Sequence, residues 1–278
     1  MSVVDVNNHR MGLRIEESNG IHSIIRLPRN ESLRILPKSG MNDIFNSMLA
    51  CEAVLRKPLE RGDSRRIFGD GPHDGPAPMY SAIGVQVSRF GGVIDSSPSL
   101  LSLSDHHWRS VIKMARRAEA ALESFADTSV LCQLTAAKEV VDFKTLSAPN
   151  SDCNAKYFGA MAFGCNVFLR CHTDEDFSYT VSQCILQGQD CCSVNDHIVA
   201  YFCFPTRGVA IPMRPGDYVM FDARLPHCIS SRCHIQDRVM AASFYLKSMV
   251  VGLNDNSIPL SCQQNNLAML QKNMVNNM

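Results

Sequence analysis

The carboxyl-terminal half of this chain is a succession of short β-rich runs, and no helical segment separates them. The run from Phe177 to Ile185 alternates apolar and polar side chains, as a strand does when one face is buried. About eight such runs joined by turns predict a sandwich or barrel. They extend from Tyr157 to Phe163, Asn166 to Cys171, Phe177 to Ile185, His197 to Phe204, Val209 to Met213, Tyr218 to Phe221, Cys228 to Ser230 and Arg238 to Leu246.

Two helices are predicted before this β-rich half. The first covers Met41 to Leu55 and ends before Pro58. The second begins at Ser104 or Asp105, both good N-cap residues, and ends near Phe125. Its apolar stripe consists of Trp108, Val111, Ile112, Ala115, Ala118 and Leu122. The sequence therefore predicts an α+β protein with a mainly β core and supporting helices before it.

The composition limits the classes of protein to consider. Hydrophobic residues make up 45% of the 278 residues, and the formal net charge is zero, so a protein that coats nucleic acid or an anionic membrane is disfavoured. No apolar stretch is long enough to predict a transmembrane helix, and the first residues lack the apolar segment of a signal peptide. We therefore expect no membrane association and an intracellular location, cytoplasmic or nuclear.

The 12 cysteines give no clear metal motif. No pair has the C-x-x-C spacing, and in a reducing compartment we expect mostly free thiols. The segment from His227 to His234 has two His–Cys neighbour pairs, which leaves a second metal site open.

The first candidate metal ligands follow the run that ends at Cys171. His172 and Asp174 are two residues apart, and residues two apart on a strand point to the same face. An imidazole and a carboxylate placed in this way reach a common ion. Asp176 is either an acceptor that supports these ligands or a turn residue.

A second histidine follows a recognisable turn and strand. Pro215-Gly216-Asp217 predicts a tight turn, Tyr218 to Phe221 a strand, and His227 the start of the next strand. Two histidines and one carboxylate on one face of an octahedral ion form the ligand set typical of non-haem Fe(II). The sequence therefore predicts an iron site at His172, Asp174 and His227.

Arg238 opens the last predicted strand. A guanidinium that points into a barrel requires an anion, and a dicarboxylate supplies one through a bidentate pair.

These motifs together resemble the Fe(II)/2-oxoglutarate-dependent dioxygenase superfamily. The resemblance rests on HTD at 172–174, RPGDYVMFDARLPH at 214–227 and DRVMAASFYL at 237–246. The family's pattern is H-x-D, a distal histidine and a basic residue about ten positions later. Here the intervals are 227 − 172 = 55 and 238 − 227 = 11 residues. The resemblance covers Tyr157 to Lys247, about a third of the chain.

The resemblance implies a double-stranded β-helix of the jelly-roll or cupin-like type. It also implies oxidative decarboxylation of 2-oxoglutarate to succinate with O2, with Fe(II) bound by His172, Asp174 and His227 and with 2-oxoglutarate bound by Arg238. Ascorbate is a candidate reductant. We expect an N-terminal extension with one helix at 1–67, the oxygenase domain at 68–250 with its catalytic β-helix at about 157–247, and a polar tail at 251–278.

The substrate class stays open between a protein side chain and a nucleobase. The run CNVFLRCHTDEDF resembles the AlkB and TET/JBP groups, and the interval between His227 and Arg238 resembles prolyl hydroxylases. The chain departs from many members at Met240, where a serine often supplies a second carboxylate anchor. The alternative function is a non-catalytic or zinc-binding cupin-like β-barrel.

Overall fold

A seven-stranded antiparallel sheet is the centre of the computed structural model. The structure describes residues 13–18, 20, 22–28, 46–49, 79–87, 93–94, 104–141, 145–147, 154–167, 169–186, 197–230, 238–248 and 250–251. Their strands are β1 (Leu13–Glu16), β2 (His22–Leu27), β3 (Met79–Gly84), β4 (Gln86–Val87), β5 (Val93–Ile94), β6 (Ala160–Cys165), β7 (Tyr179–Leu186), β8 (Ala200–Phe204), β9 (Val209–Met213), β10 (Tyr218–Asp222), β11 (Cys228–Ile229) and β12 (Val239–Tyr245). The helices are α1 (Asp105–Phe125) and α2 (Thr128–Val141), and Pro205–Arg207 is a short 3-10 helix.

The strands form two main antiparallel sheets. The large sheet has the order β1-β2-β10-β7-β12-β6-β3, and the small sheet has the order β11-β8-β9. From β7 onward the chain passes back and forth between the sheets: β7, β10 and β12 lie in the large sheet, and β8, β9 and β11 lie in the small one. This arrangement confirms the predicted mainly β class and the double-stranded β-helix.

Alternation along the strands gives the large sheet two different faces. Val181 and Ile185 of β7 belong to a buried apolar cluster that includes α1. Cys184 belongs to a second cluster, with Phe202 and Phe204 of the small sheet. One face of the large sheet therefore packs against helices, and the other faces the small sheet.

Helix α1 agrees with the sequence prediction. The Ser104 side chain accepts a hydrogen bond from the backbone N–H of His107, as expected of an N-cap, and the helix ends at Phe125. All six residues of the predicted stripe are buried. Helix α2 was not predicted. The prediction of a helix at Met41 to Leu55 lies mostly outside the described residues, of which 46–49 are helical.

The predicted strand from Asn166 to Cys171 is wrong for the part that the structure describes. Asn166 has a φ of 52°, which lies in the left-handed region and turns the chain out of β6. After it, Leu169 and His172 make isolated contacts instead of a regular ladder: the Leu169 carbonyl accepts from the Ile229 N–H, and His172 bridges His227. The turn predicted at Pro215-Gly216-Asp217 is confirmed, with a φ of 89° at Gly216.

The amino-terminal strands belong to the large sheet. β2 pairs with β10, and the fully buried Arg26 donates from Nε and Nη2 to Oδ2 of Asp217 at 3.1 and 2.7 Å. Residues 22–27 therefore join the β-helix directly. The domain boundary predicted at residue 67 and most of the tail at 251–278 lie outside the described residues and stay predictions. None of the described helices is both long and apolar enough to cross a membrane.

Candidate metal centre

The two predicted histidine ligands lie opposite each other on neighbouring segments. The backbone N–H of His172 donates to the His227 carbonyl at 3.0 Å, and the N–H of His227 donates back to the His172 carbonyl at 2.9 Å. The N–H of Asp174 donates to the carbonyl of Ala223 at 2.9 Å, just beyond β10. Three backbone bonds thus fix the irregular segment that carries His172 and Asp174.

The side chains of these three residues converge. Nε2 of His172 lies 3.5 Å from Oδ2 of Asp174, and Nε2 of His227 lies 3.6 Å from the same oxygen. All three ligand atoms lie within 4.8 Å of one another. The sequence prediction thus selected three residues that the fold places together.

Backbone carbonyls orient both imidazole rings. Nδ1 of His172 donates to the Arg170 carbonyl at 2.6 Å, and Nδ1 of His227 donates to the Leu225 carbonyl at 2.8 Å. With the proton on Nδ1, the lone pair of each ring is on Nε2, the atom that points at Asp174. Hydrogen bonds of this kind, made by the ring nitrogen that does not bind the metal, set the tautomer of metal-binding histidines.

Aromatic rings enclose one side of the site. The His227 ring stacks on Phe202 at 5.8 Å between centroids and lies 4.9 Å from Phe221. The side chain of His227 is 4% exposed, whereas those of His172 and Asp174 are 12% and 20% exposed. The three ligands are therefore approachable from the side of His172 and Asp174 and closed on the side of His227.

The charge of Asp174 is set by opposing effects. Burial raises its pKa, but the adjoining imidazoles of His172 and His227 and the Lys247 ammonium overcome burial and hold that pKa well below its usual range. Asp174 is therefore a carboxylate at neutral pH, the form that binds a cation.

A second, buried carboxylate lies two residues after Asp174. Asp176 is 2% exposed and accepts from Oγ1 of Thr180 at 2.8 Å and from Nζ of Lys247 at 2.5 Å. Burial raises the pKa of Asp176, and the Asp174 charge adds to the increase, while Lys247 and Thr180 oppose it. Neither of these two donors is one of the predicted metal ligands, so a supporting role of Asp176 at the metal site stays a prediction.

Arg238 lies directly before β12, beside Cys165. Its Nε donates to Sγ of Cys165 at 3.3 Å. Cys165 is the register partner of Met240, and both belong to the apolar cluster that includes α1. By the alternation of the strand, Arg238 therefore lies on the same face of the sheet as Met240. Val239 lies on the other face and packs in the cluster around Phe202.

Polar residues that the sequence did not single out line the inner face of the large sheet. Ser182 of β7 and Ser243 of β12 are register partners, and their hydroxyl oxygens are 2.7 Å apart. Asn166 is buried, and its Oδ1 accepts from the Val239 N–H. The alternating pattern of β7 was a signal in the sequence that Ser182 lies on the inner face. No local pattern indicated that Lys247 would contact Asp176.

The donor set fits a divalent transition metal. Two neutral imidazole nitrogens and one carboxylate oxygen on one side of an ion leave the other side open, as non-haem Fe(II) sites require. A structural zinc site is normally closed by a fourth protein ligand. Among the described residues, only His172, Asp174 and His227 form a group of three or more candidate ligands.

Comparison with known proteins gives similarity in structure alone. No protein-family model matches the chain. No curated protein matches it either. The structure of NgTET1 in complex with 5mC DNA aligns with a TM-score of 0.53 at 9% identity, over 83% of this chain and 74% of that one. At this identity the likeness shows a shared fold.

Two further solved structures align less well. The 2OG-Fe(II) oxygenase family oxidoreductase from Burkholderia pseudomallei aligns with a TM-score of 0.46 at 10% identity, over 81% of this chain and 85% of that one. A Pseudomonas putida prolyl-4-hydroxylase aligns with a TM-score of 0.38 at 12% identity, over 81% and 93% of the two chains.

Proposed function

We propose that this protein is an Fe(II)- and 2-oxoglutarate-dependent dioxygenase. The observation that carries the proposal is the convergence of Nε2 of His172, Nε2 of His227 and Oδ2 of Asp174, with both Nδ1 atoms bound to backbone carbonyls. The double-stranded β-helix shared with NgTET1, and the HTD, RPGDYVMFDARLPH and DRVMAASFYL motifs, support it.

In this proposal, the three ligands hold Fe(II) with one side open to substrates. When bound, the iron with 2-oxoglutarate and O2 would supply oxidation of a C–H bond, with release of succinate and CO2. The protein's own contribution is to fix the ligand geometry through backbone bonds and to exclude water on the side of Phe202 and Phe221. The contact of Asp176 with Lys247 fixes the chain two residues after Asp174.

Arg238 is the proposed partner of the distal carboxylate of 2-oxoglutarate. It lies directly before β12, 11 residues after His227, and its side chain is half-buried. A planar guanidinium binds a carboxylate through two parallel hydrogen bonds. The role requires the side chain to turn from the Met240 side of β12 toward the metal ligands.

The two substrate classes stay open. A base oxidiser and a peptidyl hydroxylase share the same metal centre, and they differ at the mouth of the site. A panel of a 5mC-containing oligonucleotide and proline- or lysine-rich peptides tests both, because a true substrate accelerates succinate release above the rate with 2-oxoglutarate alone.

Succinate release tests the reaction class. Purified protein with Fe(II), ascorbate and 2-oxoglutarate should release succinate slowly without a primary substrate. His172→Ala and Asp174→Ala should abolish both iron binding and release, whereas Cys132→Ser, on α2, should leave both unchanged. Iron or zinc binding without succinate release would favour the cupin-like binding module.

A further inference from the structure

Three thiols form a row across adjacent segments of the small sheet. Because His172 bridges His227, Cys171 before the first histidine faces Cys228 after the second. Cys228 is in turn the register partner of Cys203 in the pairing of β11 with β8. We call Cys171, Cys228 and Cys203 the thiol row.

The thiol row lies behind the metal ligands. Ile229 and Phe202, which are also register partners, pack in the inner cluster around the His227 ring. Successive residues of a strand point to opposite faces, so Cys228 and Cys203 lie on the outer face. Cys171 is exposed and the other two are half-buried. An oxidant in solution therefore reaches Cys171 first.

The spacing of Cys171 and Cys228 suits a disulfide. His172 and His227 exchange both backbone hydrogen bonds, at 3.0 and 2.9 Å, so Cys171 and Cys228, which flank this isolated bridge, face each other in the manner of a non-hydrogen-bonded pair. Such pairs have Cα atoms about 4.5 Å apart, and disulfides bridge Cα separations of about 4.4–6.8 Å. The two thiols can therefore be joined with little movement of the backbone.

The pKa shifts of Cys228 and Cys203 agree with a short distance between neighbouring thiols of the row. Burial raises the pKa of the Cys228 thiol and the neighbouring Cys171 raises it further, while a hydrogen bond with the Cys203 thiol lowers it. Burial also raises the pKa of Cys203 to about 11, with a further contribution from Cys228. The pKa of each half-buried thiol is therefore raised in part by a neighbouring thiol of the row.

We propose that Cys171 and Cys228 form a redox-active dithiol that a hydroperoxide oxidises to a disulfide. Sulfur of Cys171 attacks the terminal oxygen of the peroxide, the O–O bond breaks, and an alcohol or water leaves as Cys171 becomes a sulfenic acid. Sulfur of Cys228 then attacks that sulfur, and water leaves with the Cys228 proton. The two thiols lose two electrons in total, and the peroxide gains them.

The disulfide would join the two segments that carry His172 and His227. It closes a loop of 228 − 171 = 57 residues, and it adjoins both histidines without using a metal-binding atom. The dithiol does not depend on iron, so this proposal stands or falls separately from the oxygenase reaction.

Peptide mapping of the full-length protein tests the proposal. Reduced protein, with and without a chelator, is treated with one equivalent of hydrogen peroxide, and the remaining thiols are alkylated. Trypsin with Asp-N then separates the thiol row into three peptides with one cysteine each, at 171–173, 225–232 and 196–207. Mass spectrometry shows which two are linked.

The expected product is a link between peptides 171–173 and 225–232, formed with or without the chelator and reversed by dithiothreitol. Cys171→Ser and Cys228→Ser should abolish that link, and Cys132→Ser, outside the thiol row, should keep it. Oxidation should also raise the thermal midpoint of wild type and leave that of Cys171→Ser unchanged. A link from Cys228 to Cys203, or over-oxidation of Cys171 without a link, would overturn the proposal.

Discussion

The two faces of the large sheet differ in what their side chains do. On the helix side, Val181, Met240 and Phe244 are fully buried in an apolar cluster with α1. On the inner side, the same strands carry Ser182 and Ser243, whose hydroxyl oxygens are 2.7 Å apart. Neighbouring residues of one strand therefore have different surroundings, and substitutions on the two faces should have separable effects.

The largest effect is expected on the helix side, at Phe244. Its ring is fully buried and lies 5.9 Å from the Phe158 ring. Phe244→Ala should lower the free energy of unfolding by about 4 kcal/mol, because it removes buried surface and leaves a cavity. Urea denaturation measures this, and the metal affinity of the folded protein should not change. Tyr80→Ala, at a residue 39% exposed on β3, is the matched control and should cost less than about 1 kcal/mol.

Glu119 of α1 should give the next effect, again on stability. Its Oε1 accepts from the backbone N–H groups of Lys156, Tyr157 and Phe158 at 2.8, 2.6 and 3.1 Å, just before β6. Glu119→Ala leaves these donors without their acceptor and should cost about 3 kcal/mol. Glu123→Ala on the same helix removes an exposed ion pair with Lys156 and a hydrogen bond from the Tyr157 hydroxyl, and it should cost only about 1 kcal/mol. Equal losses from the two variants would contradict the anchoring role of Glu119.

Arg238 tests whether the two faces are separate in function. By its position next to β12 it lies on the helix side, whereas its proposed role requires its side chain to reach the metal ligands. If it binds 2-oxoglutarate, Arg238→Ala should raise half-saturation for 2-oxoglutarate at least about 30-fold, or about 2 kcal/mol, with iron binding nearly unchanged. Arg238→Lys should recover part of the loss, because it keeps the charge without the fork. The 2-oxoglutarate dependence of succinate release measures both. An unchanged half-saturation concentration in the alanine variant would show that Arg238 does not bind 2-oxoglutarate.

The smallest effect is expected at the hydroxyl pair on the inner face. Ser182→Ala removes one partner of the 2.7 Å contact with Ser243 and should cost about 1 kcal/mol of stability. The double variant Ser182→Ala/Ser243→Ala should cost less than the sum of the single variants, because neither hydroxyl is then left alone. Additive losses in urea denaturation would show that the contact contributes nothing.

The sequence predicted α1, most of the strands after residue 157 and three candidate metal ligands that the fold brings together, and it missed α2 and the contacts between distant residues. Helix α1 was predictable because its cap and apolar stripe are local. His172 and Asp174 were chosen for their spacing on a strand, but they lie in an irregular segment that is held by backbone hydrogen bonds with His227 and to the Ala223 carbonyl. The contact of Asp176 with Lys247 joins residues 71 positions apart, and no local pattern encodes it. β2 likewise enters the sheet through β10, far along the chain.

The central claim is that His172, Asp174 and His227 bind one Fe(II) that also binds 2-oxoglutarate. Anaerobic addition of Fe(II) and then 2-oxoglutarate to the wild-type protein should produce a weak visible charge-transfer band. His172→Ala, Asp174→Ala and His227→Ala should each abolish the band, while Ser182→Ala keeps it. A band of wild-type strength in any of the three ligand variants would contradict the account, as would Fe(II) binding by wild type that gives no band with 2-oxoglutarate.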